Sequence, residues 1–449
     1  MRRRLKEETI IFISVLKWIF LATIVGAVVG LSTTVFVKSL NWGAALSAQH
    51  EYYFLLLPIG LLASTLIIKY VFPQAAGHGA NSVIESIHKN SGKIKPIFVP
   101  VEFLRTFITL TTGGSAGKEG PSAQIGAGLA SMVADLLRFE GNDRRKLVIC
   151  GISGGFASVF GTPLAGALFG MEVLFVGSIM YDVLLPSFVA GIISYQVSSW
   201  LGLTYFYNPI TFVPVFSESF FLKVIAAGIF FGLCSFLLIE MLKLGKKASG
   251  ALKIADEGKA ILAGSILVAL TFLFSKDYLG LGLQTIQASL EGGVIPWYAF
   301  ILKSFFTSVT LSFGGHGGIG TPIFFVGATA GSAFSKVLDV DPAMLSAIGF
   351  VALLAGAANT PIAASIMSVE LFGAEVAPYA AVACVISFMI TGHRSAYPSQ
   401  VLAVKKSSSI AVEVGREVSG MKPGIEYRDK SLVGVLRQIL KKNENRNGP

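Results

Sequence analysis

The chain has 449 residues, 53% of them hydrophobic and only 14% charged, and its mean hydropathy is +0.69. Soluble domains carry about 25% charged residues, so the composition excludes an ordinary soluble protein and describes an integral membrane protein. The net charge of +10 sits mostly at the ends and in short basic stretches without interleaved aromatics, which excludes a nucleic-acid surface.

From the N-terminus, the basic stretch MRRRLK precedes a first apolar run over residues 10–37. The run is too long for a signal-peptide core and no small-residue cleavage site follows it, so it is expected to stay in the protein. Further apolar runs follow at 53–72, 183–201, 220–242, 260–274, 298–311 and 374–390. They are long enough to span or half-span a bilayer. None alternates with period 2, so they read as helices rather than as strands of an outer-membrane barrel. The expected fold class is an all-α polytopic membrane protein. Basic loops around Arg144 and Lys246, with the N-terminus and the tail, put both termini in the cytoplasm by the positive-inside rule. Cys150, Cys234 and Cys384 stand singly in apolar surroundings, so neither a disulfide nor a metal site is expected. The tail, 405–449, is too short for a sizeable second domain and reads as a cytoplasmic appendage.

The chain contains an internal repeat. GGSAGKEGPSAQIGAGLAS at 113–131 overlays GGHGGIGTPIFFVGATAGS at 314–332 with an offset of 314 − 113 = 201. GTPLAGALFGMEVLF at 161–175 overlays NTPIAASIMSVELFG at 359–373 with an offset of 360 − 162 = 198. Two blocks at nearly one offset divide the membrane domain into halves, 1–204 and 205–404, joined near 205–220. Repeats in transporters are commonly inverted, and broken helices then meet at a midplane site with their N-termini facing an anion. The aligned motifs suit such breaks, because glycine permits sharp turns and close approach and proline fits the first helical turn. Opposed helix starts at 117–121 and 318–322 supply N–H groups and favourable dipoles for an anion without a buried cation. Glu119, at one of these starts, is able to take the anion's place and to step out on protonation. Lys118 raises the local potential and favours the ionised carboxylate. A phosphate-binding loop is excluded: three residues rather than four separate Gly113 from Gly117, and Glu119 stands where Ser or Thr is needed.

At these residues the chain resembles the CLC family of anion channels and anion/proton antiporters, over about residues 16–404. The family's glutamate motif, usually GREGP, appears as Gly117, Lys118, Glu119, Gly120 and Pro121. Its second-half motif, usually GxFxP, appears as Gly318, Ile319, Gly320, Thr321 and Pro322. PLAG at 163–166 and GHRSAYPSQ at 392–400 match as well. The resemblance implies that Glu119 is the external gating glutamate and proton carrier. It implies that Tyr397 donates its hydroxyl to the bound anion. Anion-binding positions are then Gly117, Lys118, Gly120, Ile319, Gly320, Thr321 and Tyr397. His78 joins them, standing where the first-half motif usually has serine, or else it is a loop histidine. A homodimer with one pathway per subunit is also implied, with 179–202 and 374–390 as candidate contact helices.

Three departures bear on function. His78 replaces the serine, and Gly320 and Thr321 alter the second-half pattern in a way similar to the fluoride-exporting bacterial branch. The antiporters' internal proton-relay glutamate falls on Val173, which carries no proton. The chain therefore reads as a halide/proton antiporter with fluoride favoured over chloride, or alternatively as a passive halide channel. Glu172 and Glu370, repeat-related, are expected at helix ends in structural roles, and Glu102 and Arg105 as a pair within one helix. His316 and His393 flank motifs, either tuning the site or serving as loop residues. Without a nucleophile–base pair, metal cluster or nucleotide motif in the helices, no enzymatic activity and no cofactor are expected.

Overall fold

The computed structural model describes residues 2–73, 80–205, 207, 209–210, 218–421 and 423–426. Among them the chain forms sixteen α-helices. The first half has α1 (Arg2–Ala48), α2 (Leu57–Leu66), α3 (Ala80–Lys89), α4 (Phe98–Thr111), α5 (Glu119–Leu136), α6 (Gly141–Phe160), α7 (Pro163–Glu172) and α8 (Leu184–Trp200). The second has α9 (Glu218–Ala251), α10 (Asp256–Leu273), α11 (Leu283–Leu290), α12 (Ala299–Ser312), α13 (Gly320–Leu338), α14 (Pro342–Ala358), α15 (Pro361–Phe372) and α16 (Ala377–Thr391).

Each expected apolar run is helical. The run 53–72 is composite: a 3₁₀ turn, then α2, then a π-helical turn at Ile67–Val71. Among the described residues, four helical stretches are long and apolar enough to cross a membrane: Lys6–Ala48, Tyr53–Val71, Tyr181–Trp200 and Glu218–Ala251. The interior is built from α5, α6, α13 and α14, whose sequences are rich in glycine, alanine and serine. In a bilayer, helices associate through close packing of small residues. A Cβ at Gly126 would lie 2.2 Å from the Gly151 carbonyl oxygen, and one at Gly327 would lie 2.3 Å from that of Gly349. The α5–α6 and α13–α14 crossings are thus backbone against backbone, at equivalent places in the two halves.

The same hydrogen bonds recur in the two halves. Ser115 N donates to Thr310 Oγ1 at 3.1 Å, and His316 N donates to Thr109 Oγ1 at 3.0 Å. Glu172 accepts from Ile362 N (3.1 Å) and Ala363 N (2.8 Å) at the start of α15. Glu370 accepts from Leu164 N (2.9 Å) and Ala165 N (2.8 Å) at the start of α7. Each carboxylate therefore satisfies orphan amides and faces the positive end of a helix in the other half, the structural role expected of both. Helices α6 and α14 end on the left-handed residues Gly161 and Asn359, and each is followed by a proline-started helix.

Glu102 and Arg105 interact electrostatically, as their spacing led us to expect, and each also has a partner on another element. Glu102 Oε2 lies 2.7 Å from His316 Nε2, and Arg105 Nε donates to the Ser64 carbonyl at 3.1 Å. After α16 the chain pairs Val401–Leu402 in parallel with Phe175–Val176, which brings the segment after Tyr397 beside the end of α7.

Candidate functional site

The two glycine-rich loops meet at one point. Gly117 N donates to Gly318 O and Gly318 N to Gly117 O, both at 2.7 Å. This bridge sets the starts of α5 and α13 against each other, as the repeated motifs led us to expect. Gly120 is held so close that a Cβ there would lie 2.9 Å from Gly318 Cα. The Gly117 amide, expected among the anion's donors, is committed to this bridge instead.

Glu119 opens α5 and is 2% exposed. Its carboxylate reaches across to the first turn of α13. Thr321 N donates to Oε2 at 2.8 Å, and Thr321 Oγ1 lies 2.6 Å from Oε1 and 2.7 Å from Oε2. A negative charge at a helix N-terminus is stabilised by the free amides and the dipole, and hydrogen bonds to an ionised acceptor are the stronger kind. The carboxylate rests on two glycines. A Cβ at Gly117 would lie 2.6 Å from Oε2, and one at Gly320 would lie 3.0 Å from it. Larger residues there would push the carboxylate off Thr321. Ile319 is the N-cap residue of α13 and is 7% exposed.

Glu119 lies in the wall of two cavities. The inner one, about 20 Å³, is lined also by Gly120, Phe156, Phe169, Val173 and Tyr397. The larger one, about 530 Å³, is lined by Lys118, Phe160, Thr321 and Phe324, and reaches the surface at Gln284 and Glu291. Lys118 makes no salt bridge with Glu119. Tyr397 is 5% exposed and packs edge-on to Phe169, with ring centroids 6.4 Å apart. Glu119, Gly117, Lys118, Gly120, Ile319, Gly320, Thr321 and Tyr397 thus belong to one region. His78 lies outside the described residues.

Val173 faces the inner cavity, while the neighbouring Glu172 turns away to cap α15. Phe156 and Phe169, stacked at 4.0 Å, line the same cavity, and the sequence carried no signal for them. An aromatic ring has a positive edge that suits an anion, but a phenylalanine in an apolar helix reads as packing.

A model of the voltage gated chloride channel family matches residues 59–392. The chain is 38% identical over 395 residues to the chloride/fluoride channel protein of Pseudomonas syringae pv. tomato, covering 86% of both chains. The crystal structure of a CLC-type fluoride/proton antiporter superposes with a TM-score of 0.83 at 28% identity, covering 86% of this chain and 98% of that one. That of a slow cyanobacterial Cl-/H+ antiporter shares the fold, with a TM-score of 0.72 at 20% identity over 83% of this chain and 94% of that one. With a family match over more than half its length and a relative at 38% identity, this chain belongs to the voltage gated chloride channel family, the CLC family of multi-pass membrane transporters and channels.

Proposed function

We propose that the protein is a halide/proton antiporter in which Glu119 is both gate and proton carrier. The observation that carries this reading is the carboxylate of Glu119 bound to Thr321 N and Oγ1, in the wall between the inner and outer cavities. A halide taking the carboxylate's position would inherit the same donors. Protonation weakens the carboxylate's hold on those donors, so a proton arriving from one side and a halide from the other exchange the same seat. The anion is then bound by amide and hydroxyl dipoles instead of a full positive charge, which allows release as well as binding.

Fluoride is favoured as the main halide. The inner cavity, about 20 Å³, has room for about one water-sized particle, and fluoride is smaller than chloride. Fluoride also accepts stronger hydrogen bonds, which the hydroxyls of Thr321 and Tyr397 would donate; His78 would add a donor by family resemblance. The structurally similar fluoride/proton antiporter supports the same choice, and the relative from Pseudomonas syringae, named a chloride/fluoride channel protein, is consistent with either halide. The reading includes a homodimer with both termini cytoplasmic and contacts through 179–202 and 374–390, where Ile192, Val385, Met389 and Ile390 leave apolar surface exposed. It also includes the division into half-repeats 1–204 and 205–404 with the tail 405–449.

Passive halide conduction is the second reading, favoured by Val173 at the inner cavity and by Glu172 turning away from it. The test is reconstitution in liposomes with an imposed fluoride or chloride gradient and continuous recording of external pH. Antiport moves protons against their gradient, faster with fluoride than with chloride. Halide flux without proton movement would replace antiport by conduction.

A further inference from the structure

The turn that carries Tyr397 is anchored by a buried chain of polar side chains that the exchange of halide and proton does not itself use. Gln400 is fully buried and its side chain makes four hydrogen bonds. Its Nε2 donates to the carbonyl oxygens of Val173 (2.9 Å) and Ala358 (2.7 Å). Its Oε1 accepts from Ser395 Oγ (2.6 Å) and Asn359 Nδ2 (3.0 Å). Ser395 Oγ in turn accepts from Tyr397 N at 2.9 Å. The turn is therefore tied to the ends of α7 and α14 together, and Val173, at the first of these, also lines the inner cavity.

The chain has one further link. Asn359, left-handed at φ 56° and 1% exposed, donates from Nδ2 to Arg394 O at 2.9 Å as well. Its Oδ1 accepts from Lys406 Nζ at 2.6 Å. Lys406 Nζ also donates to Phe388 O at 2.6 Å and sits 3.8 Å from the centre of the Phe388 ring, while its backbone N donates to His393 Nε2 at 3.0 Å. Among the described residues no carboxylate lies within salt-bridge distance of this ammonium. The imidazole of His393, which accepts from the Lys406 backbone, has the charges of Lys406, Lys405 and Arg394 around it, and Arg394 is itself held by Glu240 of α9. A partly buried ammonium without a counter-charge is costly to hold, and a methionine would fill the same space without that burden.

We infer that Lys406 is a positioning residue for the inner end of the pathway: its ammonium fixes the Asn359 amide, which orients Gln400 and thereby the Tyr397 turn and the Val173 carbonyl. With the ammonium removed, Asn359 Oδ1 is left without its donor and the amide is held through Nδ2 alone, by Arg394 O and Gln400 Oε1, so it and the Gln400 side chain it orients are less tightly fixed. The inference rests on the reading of Tyr397 as a halide ligand, and it adds a residue beyond the last membrane helix that sets how well that ligand is aimed.

The test is a double-mutant cycle with the full-length protein in liposomes, using Lys406→Met, Tyr397→Phe and both. Lys406→Met should slow fluoride flux about tenfold in the wild-type background and less than twofold in Tyr397→Phe, where no hydroxyl remains to be aimed. Lys406→Arg, which keeps charge and donors, should stay within about threefold of wild type. Should Lys406→Met fail to fold, Lys406→Gln carries the same cycle. Equal losses in both backgrounds, or none, would overturn the inference. Amide hydrogen exchange over residues 395–401 reads the link independently of transport. Lys406→Met should speed exchange there at least tenfold and leave α5 unchanged, and unaltered exchange would also overturn it. Absence of halide flux in the wild type would instead sink the transport reading and leave the exchange result standing.

Discussion

If Glu119 and a halide compete for one set of donors, removing a donor has an effect that depends on whether the competitor is present. Thr321→Val keeps the shape of the side chain and deletes the hydroxyl that lies 2.6 and 2.7 Å from the two carboxylate oxygens. A hydrogen bond to a charged acceptor contributes about 1.5–3 kcal/mol, so the docked carboxylate loses roughly 10- to 150-fold in occupancy. A halide in the same place loses the same donor and a similar amount. In the wild-type background the two losses cancel, and the apparent halide dissociation constant should shift by less than about threefold. In Glu119→Ala nothing competes, and the same substitution should weaken halide binding by roughly tenfold or more. Isothermal titration calorimetry of fluoride and chloride on the four purified proteins reads both numbers. Equal shifts in the two backgrounds would refute competition and leave Glu119 as a carboxylate near the anion, not in its seat.

Two further outcomes follow from other regions of the structure. Glu172→Gln replaces one of the two acceptor oxygens facing the start of α15 by an NH₂ donor; it should lower stability by about 1–3 kcal/mol in thermal melts and leave proton coupling intact, whereas loss of coupling would place Glu172 on the proton route. Burial pushes the Lys406 ammonium, beyond the last membrane helix, down to about 7 from 10.5. The folded protein then binds fewer protons than the unfolded chain in that window, so stability contributed at this site rises with pH from about 7 to 10.5. The difference in melting temperature between wild type and Lys406→Met should narrow or reverse in favour of wild type over that range, and a flat difference would contradict it.

Much of the site was legible because its chemistry is written in local motifs. The spacing of Gly117, Glu119 and Pro121, repeated at Gly318 to Pro322, announces a helix start against a helix start, and the Gly117–Gly318 bridge joins them. The apolar runs announced their helices because lipid-facing segments are uniformly greasy. The inner helices were harder to see: α5 and α6 interleave glycine, serine and charged residues because they pack backbone to backbone, which lowers hydropathy. Partners distant in sequence were illegible for a different reason. Nothing in the sequence connects Glu172 with Ala363, 191 positions away, or Gln400 with Val173, 227 away. Gln400, Asn359 and Lys406 have the composition of an ordinary polar loop. Only their burial and their mutual bonds reveal a network. Helical spacing gave Glu102 its electrostatic neighbour Arg105, but not His316 from the other half.

The most direct measurement is proton movement driven by a fluoride gradient in liposomes containing Glu119→Gln, beside wild type. An amide keeps the size of the side chain and carries no exchangeable acid proton. Fluoride should still cross while uphill proton movement stops. Proton pumping that persists in Glu119→Gln at the wild-type ratio to fluoride would contradict a gate that is also the proton carrier.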